Sequence, residues 1–304
     1  MHPYLDLARL GRNDWWRYLL AVLLILIFWQ FLGAIPLALL LGWYLLDGDP
    51  ATDLGAYGPT GDETSIFVAS MLASVFFLAG IFLAVRYIHA RPLRTLITPA
   101  PAPDWRRAGQ GFLVWFVIVA LLSLAEALLY PGRYVWTLDL RRFVPFVFLA
   151  LILIPIQTSA EELFFRGYLL QWAGLRLRNI WLLSAFSGLV FGAMHTPNPE
   201  FQFNPLLLSI YYFLMGAVPA YVTLRDGRLE LALGFHAANN LFAALFANYE
   251  VTVMPSPSLF TIQTQDVIFA VLATCLGLLA FVLIFVGPLG GQRRENAGAA
   301  GENG

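Results

Sequence analysis

Lysine is absent from this 304-residue chain, and all 18 of its basic residues are arginine. The single cysteine, Cys275, excludes an internal disulfide and any metal site built on thiolates. It lies in an apolar run and reads as a small buried side chain. Charge is scarce too, at 12% of residues, about half of what a soluble domain carries. A formal net charge of −1 offers no basic surface to a nucleic acid. There is no internal repeat and no sign of a second domain.

Apolar residues fill the space, at 59% of the chain with a mean hydropathy of +0.71. The composition is that of an all-α polytopic membrane protein. Apolar runs close to the spanning length of about 20 residues are read at 18–46, 66–85, 111–130, 143–165, 180–194, 205–224, 229–247 and 267–286. That predicts eight transmembrane helices in one domain, residues 1–291, followed by a disordered Gly, Ala and Asn-rich tail, 292–304. The first run is too long for a signal-peptide core and reads as an uncleaved span. Gly216 and Pro219 predict a kink in the sixth helix, and the proline-rich 98–105 reads as a connecting linker.

If eight spans alternate, fifteen arginines fall on one side and only Arg133, Arg141 and Arg142 on the other, whose first loop, 47–64, is acidic. By the positive-inside rule both termini are cytoplasmic. Trp15, Trp16, Trp43 and Tyr44 fit aromatic belts at span ends.

Ionisable or strongly polar side chains deep in such spans mark function. They are Glu126 in the third helix, Gln157, Glu161, Glu162 and Arg166 in the fourth, His195 closing the fifth, and His236, Asn239 and Asn240 in the seventh. Glu162 and Arg166 are four apart and share a face, whereas Glu161 points about 100° away. Arg166 therefore neutralises Glu162 and leaves Glu161 free to act as a general base. The competing reading is one structural ion-pair knot. Pro155, just upstream, predicts a kink or widened turn before Glu161. Phe191 and His195 share a face, as do His236 and Asn240, with Gly234 allowing a neighbouring helix to approach closely. Glu126 reads as interfacial, and His2 and His89 as loop residues.

The ordered motifs EExxxR (Glu161, Glu162, Arg166), FxxxH (Phe191, His195) and HxxxN (His236, Asn240), each on its own apolar helix, resemble the CPBP family of intramembrane proteases. That family spans CAAX proteases and bacteriocin-processing, Abi-type members, and includes the type II CAAX prenyl endopeptidases. The motifs lie within 143–247, about a third of the chain. The resemblance implies a membrane endopeptidase with a polar cavity between the fourth, fifth and seventh helices. It further implies that Glu161 activates water with help from His195, that His236 and Asn240 stabilise the oxyanion, and that Glu162, Arg166 and Phe191 support the site.

Members of the family are often called metalloproteases, and Glu161, His195 and His236 would suit Zn²⁺ with an open position for water. No HExxH pair exists here, and a metal-free, glutamate-activated water is the preferred reading. The expected partners are the lipid bilayer and a peptide or membrane-protein substrate, lipid-modified or not, with no nucleic acid. The expected location is a bacterial inner membrane. Two alternatives stand beside the protease. One is a non-catalytic scaffold or immunity protein of the same fold. The other is a proton-coupled transporter, against which the lack of inverted repeats weighs.

Overall fold

The computed structural model describes residues 2–47 and 63–287. Residues 48–62 of the acidic first loop and the C-terminal tail lie outside these residues. Eight principal helices form among them. They are α1 (Trp15–Leu46), α2 (Glu63–Ile88), α3 (Trp105–Leu129), α4 (Leu140–Ala173), α5 (Ile180–His195), α6 (Pro205–Asp226), α7 (Glu230–Leu245) and α8 (Val267–Phe285). Six are long and apolar enough to cross a membrane, while α5 and α7 have only 16 residues each.

The outer faces confirm lipid as the solvent. On α3, Leu113, Val117, Leu121, Leu124 and Leu128 are all exposed, a stripe of three- and four-residue steps that only a hydrocarbon surround satisfies. Cys275, expected to be buried, is instead exposed on α8 beside Leu272, Leu276 and Leu279. Its polarity suits lipid as well as a core, so burial was not required. Trp15 and Trp43 are exposed near the two ends of α1, at belt positions.

The short α7 is the axle. Leu231, Ala232, Phe235, His236, Ala238, Leu241 and Ala244 are buried around its circumference, so its length is set by the protein rather than by bilayer thickness. It packs backbone to backbone on α3. A Cβ on Gly234 would stand 1.9 Å from the Ala108 carbonyl oxygen, and one on Gly111 would stand 2.4 Å from that of Leu231. Gly216 does the same between α5 and α6, where a Cβ would lie 2.8 Å from the Gly188 Cα. Glycine is the only residue that lets these helices meet.

Three features were not foreseen. First, three-residue strands β1 (Tyr134–Trp136), β2 (Ala247–Tyr249) and β3 (Phe260–Ile262) form a sheet in the order β1-β3-β2, antiparallel then parallel. Strands this short carry no readable alternation. Second, α4 runs through Pro155, and the widened turn comes after Glu162 rather than before Glu161, as a π-helical stretch over Leu163–Leu169. Third, α6 continues unbroken through Gly216 and Pro219.

The N-terminal turn Pro3–Asp6 is tucked into the core. Tyr4, fully buried, donates its hydroxyl to the carbonyls of Leu96 (2.8 Å) and Arg166 (3.0 Å). His89 is likewise not a free loop residue. Its Nδ1 donates to the Arg12 carbonyl (2.8 Å) and its Nε2 accepts from Tyr168 Oη (2.8 Å).

Candidate active site

Arg166 is the fixed point of the site. It is 1% exposed, as is Glu162, and its Nη1 donates to Glu162 Oε1 at 2.7 Å. This is the pair that the four-residue spacing predicts. Pro219 explains what holds the rest of the guanidinium. With no N–H on Pro219, the Met215 carbonyl four residues earlier has no helical donor. Arg166 Nη2 supplies one at 2.8 Å. The guanidinium also lies over the Phe191 ring, 4.4 Å from its centroid.

Phe191 sets both histidines. Its ring centroid is 4.2 Å from that of His195 and 6.0 Å from that of His236. Its carbonyl accepts from His195 Nδ1 at 2.7 Å, which leaves the His195 Nε2 lone pair free. His236 Nδ1 lies 2.8 Å from Glu162 Oε1. Since that carboxylate is an acceptor, Nδ1 carries a proton, which in the neutral ring leaves the lone pair on Nε2. The His236 Nε2 faces Glu161 Oε2 across 3.7 Å. Glu162 thus does more than neutralise Arg166, because it also fixes the tautomer and orientation of His236.

Glu161 is held from its other oxygen by a line of amides. Trp115 Nε1 donates to Asn239 Oδ1 (3.2 Å), Asn239 Nδ2 to Asn240 Oδ1 (3.1 Å), Asn240 Nδ2 to Gln157 Oε1 (3.0 Å), and Gln157 Nε2 to Glu161 Oε1 (2.5 Å). Every donor points the same way, so Glu161 Oε1 must accept. Glu161 Oε2 is buried with no hydrogen-bond partner. The two carboxylates adjacent in sequence therefore have different jobs. Glu162 Oε1 is shared by Arg166 and His236, Glu161 Oε1 accepts from Gln157 alone, and each carboxylate keeps an Oε2 with no hydrogen-bond partner.

All of the polar residues that the motifs single out, except Arg166, line one cavity of about 830 Å³, with walls drawn from all eight helices and the three strands. Glu161, Glu162, Phe191, His195, His236 and Asn240 converge there. Glu126 lines it as well and is tied up, accepting from Arg133 Nη1 (3.0 Å) and Tyr134 Oη (2.8 Å). It anchors the end of α3 to β1. Among the described residues no group of three or more His, Cys, Asp or Glu side chains is disposed to hold a metal ion.

Sequence reading passed over a second polar group in the same wall. Glu200 Oε1 accepts from Tyr212 Oη (2.5 Å) and Asn198 Nδ2 (3.1 Å), and the Tyr212 ring stacks on His195 at 4.5 Å. These residues sit in a short connection and on α6 with no periodic signal. Only the prolines flanking Asn198 hinted at a fixed turn.

Comparison with known proteins agrees with this architecture. The family described as type II CAAX prenyl endopeptidase Rce1-like matches residues 141–242, from the start of α4 into α7. A Bacillus subtilis (strain 168) protein described as uncharacterized protein YyaK is 34% identical over 279 residues, which is 91% of this chain and 92% of that protein. No solved structure matches the chain. With the three motifs on three helices around one cavity, this multi-pass membrane protein belongs to the Rce1-like family of type II CAAX prenyl endopeptidases, a family of peptidases.

Proposed function

We propose that the chain is an intramembrane endopeptidase that hydrolyses a peptide bond with water activated by Glu161. One observation carries the reading. Glu161 Oε2 is a buried carboxylate oxygen with no partner, 3.7 Å from the bare Nε2 of His236 in the cavity wall. A water donating its protons to these two acceptors is held with its own lone pair free to attack.

In the first step the water oxygen bonds to the substrate carbonyl carbon, and its proton passes to Glu161 Oε2. The carbonyl π electrons move to oxygen. Asn240 uses only one of its two amide protons on Gln157, and the second is available to the oxyanion. Neutral His236 has no proton at Nε2 to give the oxyanion, so it acts in these steps by holding the water, and Asn240 is the oxyanion donor. In the second step the C–N bond breaks, and the proton on Glu161 goes to the departing amine. His195, whose Nδ1 is taken by the Phe191 carbonyl, assists Glu161 through Nε2 by orienting the water. Zn²⁺ has no part in these steps.

The arginine distribution supports the further proposals that both termini face the cytoplasm and that the protein resides in the inner membrane. Residues 1–291 act as one domain. The substrate is a peptide or membrane protein presented from the bilayer.

Purified chain incubated with membrane-protein peptides in mixed micelles should generate new internal termini by mass spectrometry, equally fast after exhaustive chelation. Products that are only terminal residues would contradict an endopeptidase. Loss of cleavage on removing stoichiometric zinc, with recovery on its return, would contradict the metal-free steps.

A further inference from the structure

Four carboxylates line the cavity, Glu126, Glu161, Glu162 and Glu200, and no arginine does. Three of them are explained. Glu126 is bonded to Arg133 and Tyr134, Glu162 to Arg166 and His236, and Glu161 is the base. Glu200 is left over. It is 7% exposed, its Oε1 is held by two neutral donors, and its Oε2 is buried with no partner. Among the described residues no arginine or histidine pairs with it.

The surroundings hold this carboxylate in place. Asn198 and Pro199 begin the 3₁₀ turn Pro199–Gln202 that carries Glu200. Asn198 Nδ2 donates to both Glu200 Oε1 and Tyr212 Oη. Phe201 stacks on the Tyr212 ring at 5.7 Å. A carboxylate fixed this firmly, with one oxygen bare in a low-dielectric wall, is costly unless a cation or donor arrives. No arginine lines the cavity or pairs with Glu200 among the described residues, and the chain has no lysine, which leaves the ligand as the source of positive charge.

Resting on the endopeptidase reading, we propose that Glu200 is a specificity-determining residue that takes a cationic side chain, arginine or lysine, of the peptide substrate. The Tyr212 ring, bonded to Glu200 at one end and stacked on His195 at its face, places that side chain one aromatic ring away from the cleavage machinery. The recognised residue therefore lies close to the scissile bond, at a fixed register.

The test uses the purified full chain in mixed micelles with two randomised peptide libraries. One contains arginine, and the other has citrulline, its neutral isostere, at the same positions. Cleavage sites and rates are read by mass spectrometry. The wild type should favour arginine over citrulline by about tenfold or more at one position relative to the cleaved bond, since charge-assisted pairing in a buried site exceeds the increment that tenfold represents. Glu200→Gln should bring that ratio to near one, and Glu200→Asp, which keeps the charge, should retain the preference.

A wild-type ratio near one overturns the inference, whether or not any variant folds. A ratio unchanged in Glu200→Gln overturns it as well. In both cases cleavage that is lost in Glu161→Gln leaves the peptidase reading standing. No cleavage of either library by the wild type overturns the peptidase reading, and this inference with it.

Discussion

Replacing Glu162 by glutamine removes one charge and nothing else of consequence to volume, yet it should be among the most damaging single changes in the chain. An exposed ion pair four residues apart on a helix contributes only a few tenths of a kcal/mol. Here both partners are 1% exposed, so the relevant cost is that of stranding a buried cation, about 3–5 kcal/mol. Two contacts soften it, since Arg166 keeps its bond to the Met215 carbonyl and its place over Phe191. One aggravates it, because Glu162 Oε1 serves both Arg166 Nη1 and His236 Nδ1, and glutamine brings an N–H group where only acceptors belong.

A loss of about 3 kcal/mol, at the low end of that range, is therefore expected. Reversible unfolding of the purified chain in mixed micelles, followed by far-UV circular dichroism, measures it. Glu162→Met with Arg166→Met together should recover most of the loss, because the uncompensated charge leaves with its partner. Stability of Glu162→Gln within about 0.5 kcal/mol of wild type, the ordinary scatter of surface substitutions, would refute the assignment of Arg166 as a buried cation that depends on Glu162.

Two further outcomes follow from the same geometry. Gln157→Leu removes the donor that orients Glu161 and breaks the amide line to Trp115, so kcat should fall about 10²-fold with KM little changed, the size of effect expected from misplacing a catalytic group. A proportional rise in KM instead would make Gln157 a substrate contact. Burial, reinforced by Arg91 and Arg17 nearby and opposed by the bond to the Arg12 carbonyl, holds His89 below its ordinary pKa. The unfolded chain then binds a proton that the folded chain refuses, so stability falls as pH drops below about 6.5. The Tm of the wild type should decline more steeply from pH 7.5 to 5.5 than that of His89→Asn, and equal slopes would contradict this.

Much of the site is legible in the sequence because helical periodicity turns spacing into direction. Glu162 with Arg166, Phe191 with His195, and His236 with Asn240 are each four residues apart, and each pair shares a face in the structure. Gly234 likewise marks a helix contact before any coordinates exist. What periodicity cannot give is the partner on another helix. That His236 turns its Nδ1 to Glu162, rather than addressing Glu161 directly, depends on how α7 is rotated against α4. Gln157 is visible as a polar residue in an apolar run, but its bond to Glu161 acquires meaning only through Asn240 and Asn239 on α7.

The Met215 carbonyl is a different case. Pro219, four residues on, announces an orphaned acceptor, and a reading that counts backbone donors would have marked it as the seat of a buried cation. Glu200 and Tyr212 lie beyond such rules. One is in a 3₁₀ turn and the other on a helix that begins after it, and only the fold brings the pair against His195. The three short strands escaped for the same reason, since pairs such as Tyr134 with Ile262 are set by how α3, α4, α7 and α8 place their ends.

The central claim is that Glu161, and not its neighbour, activates the water. Its most direct test is the cleavage rate of Glu161→Gln against wild type at equal amounts of folded protein, with unfolding curves recorded on the same samples. Cleavage abolished in a chain of wild-type stability is the predicted result. Equal rates in the two proteins would contradict it.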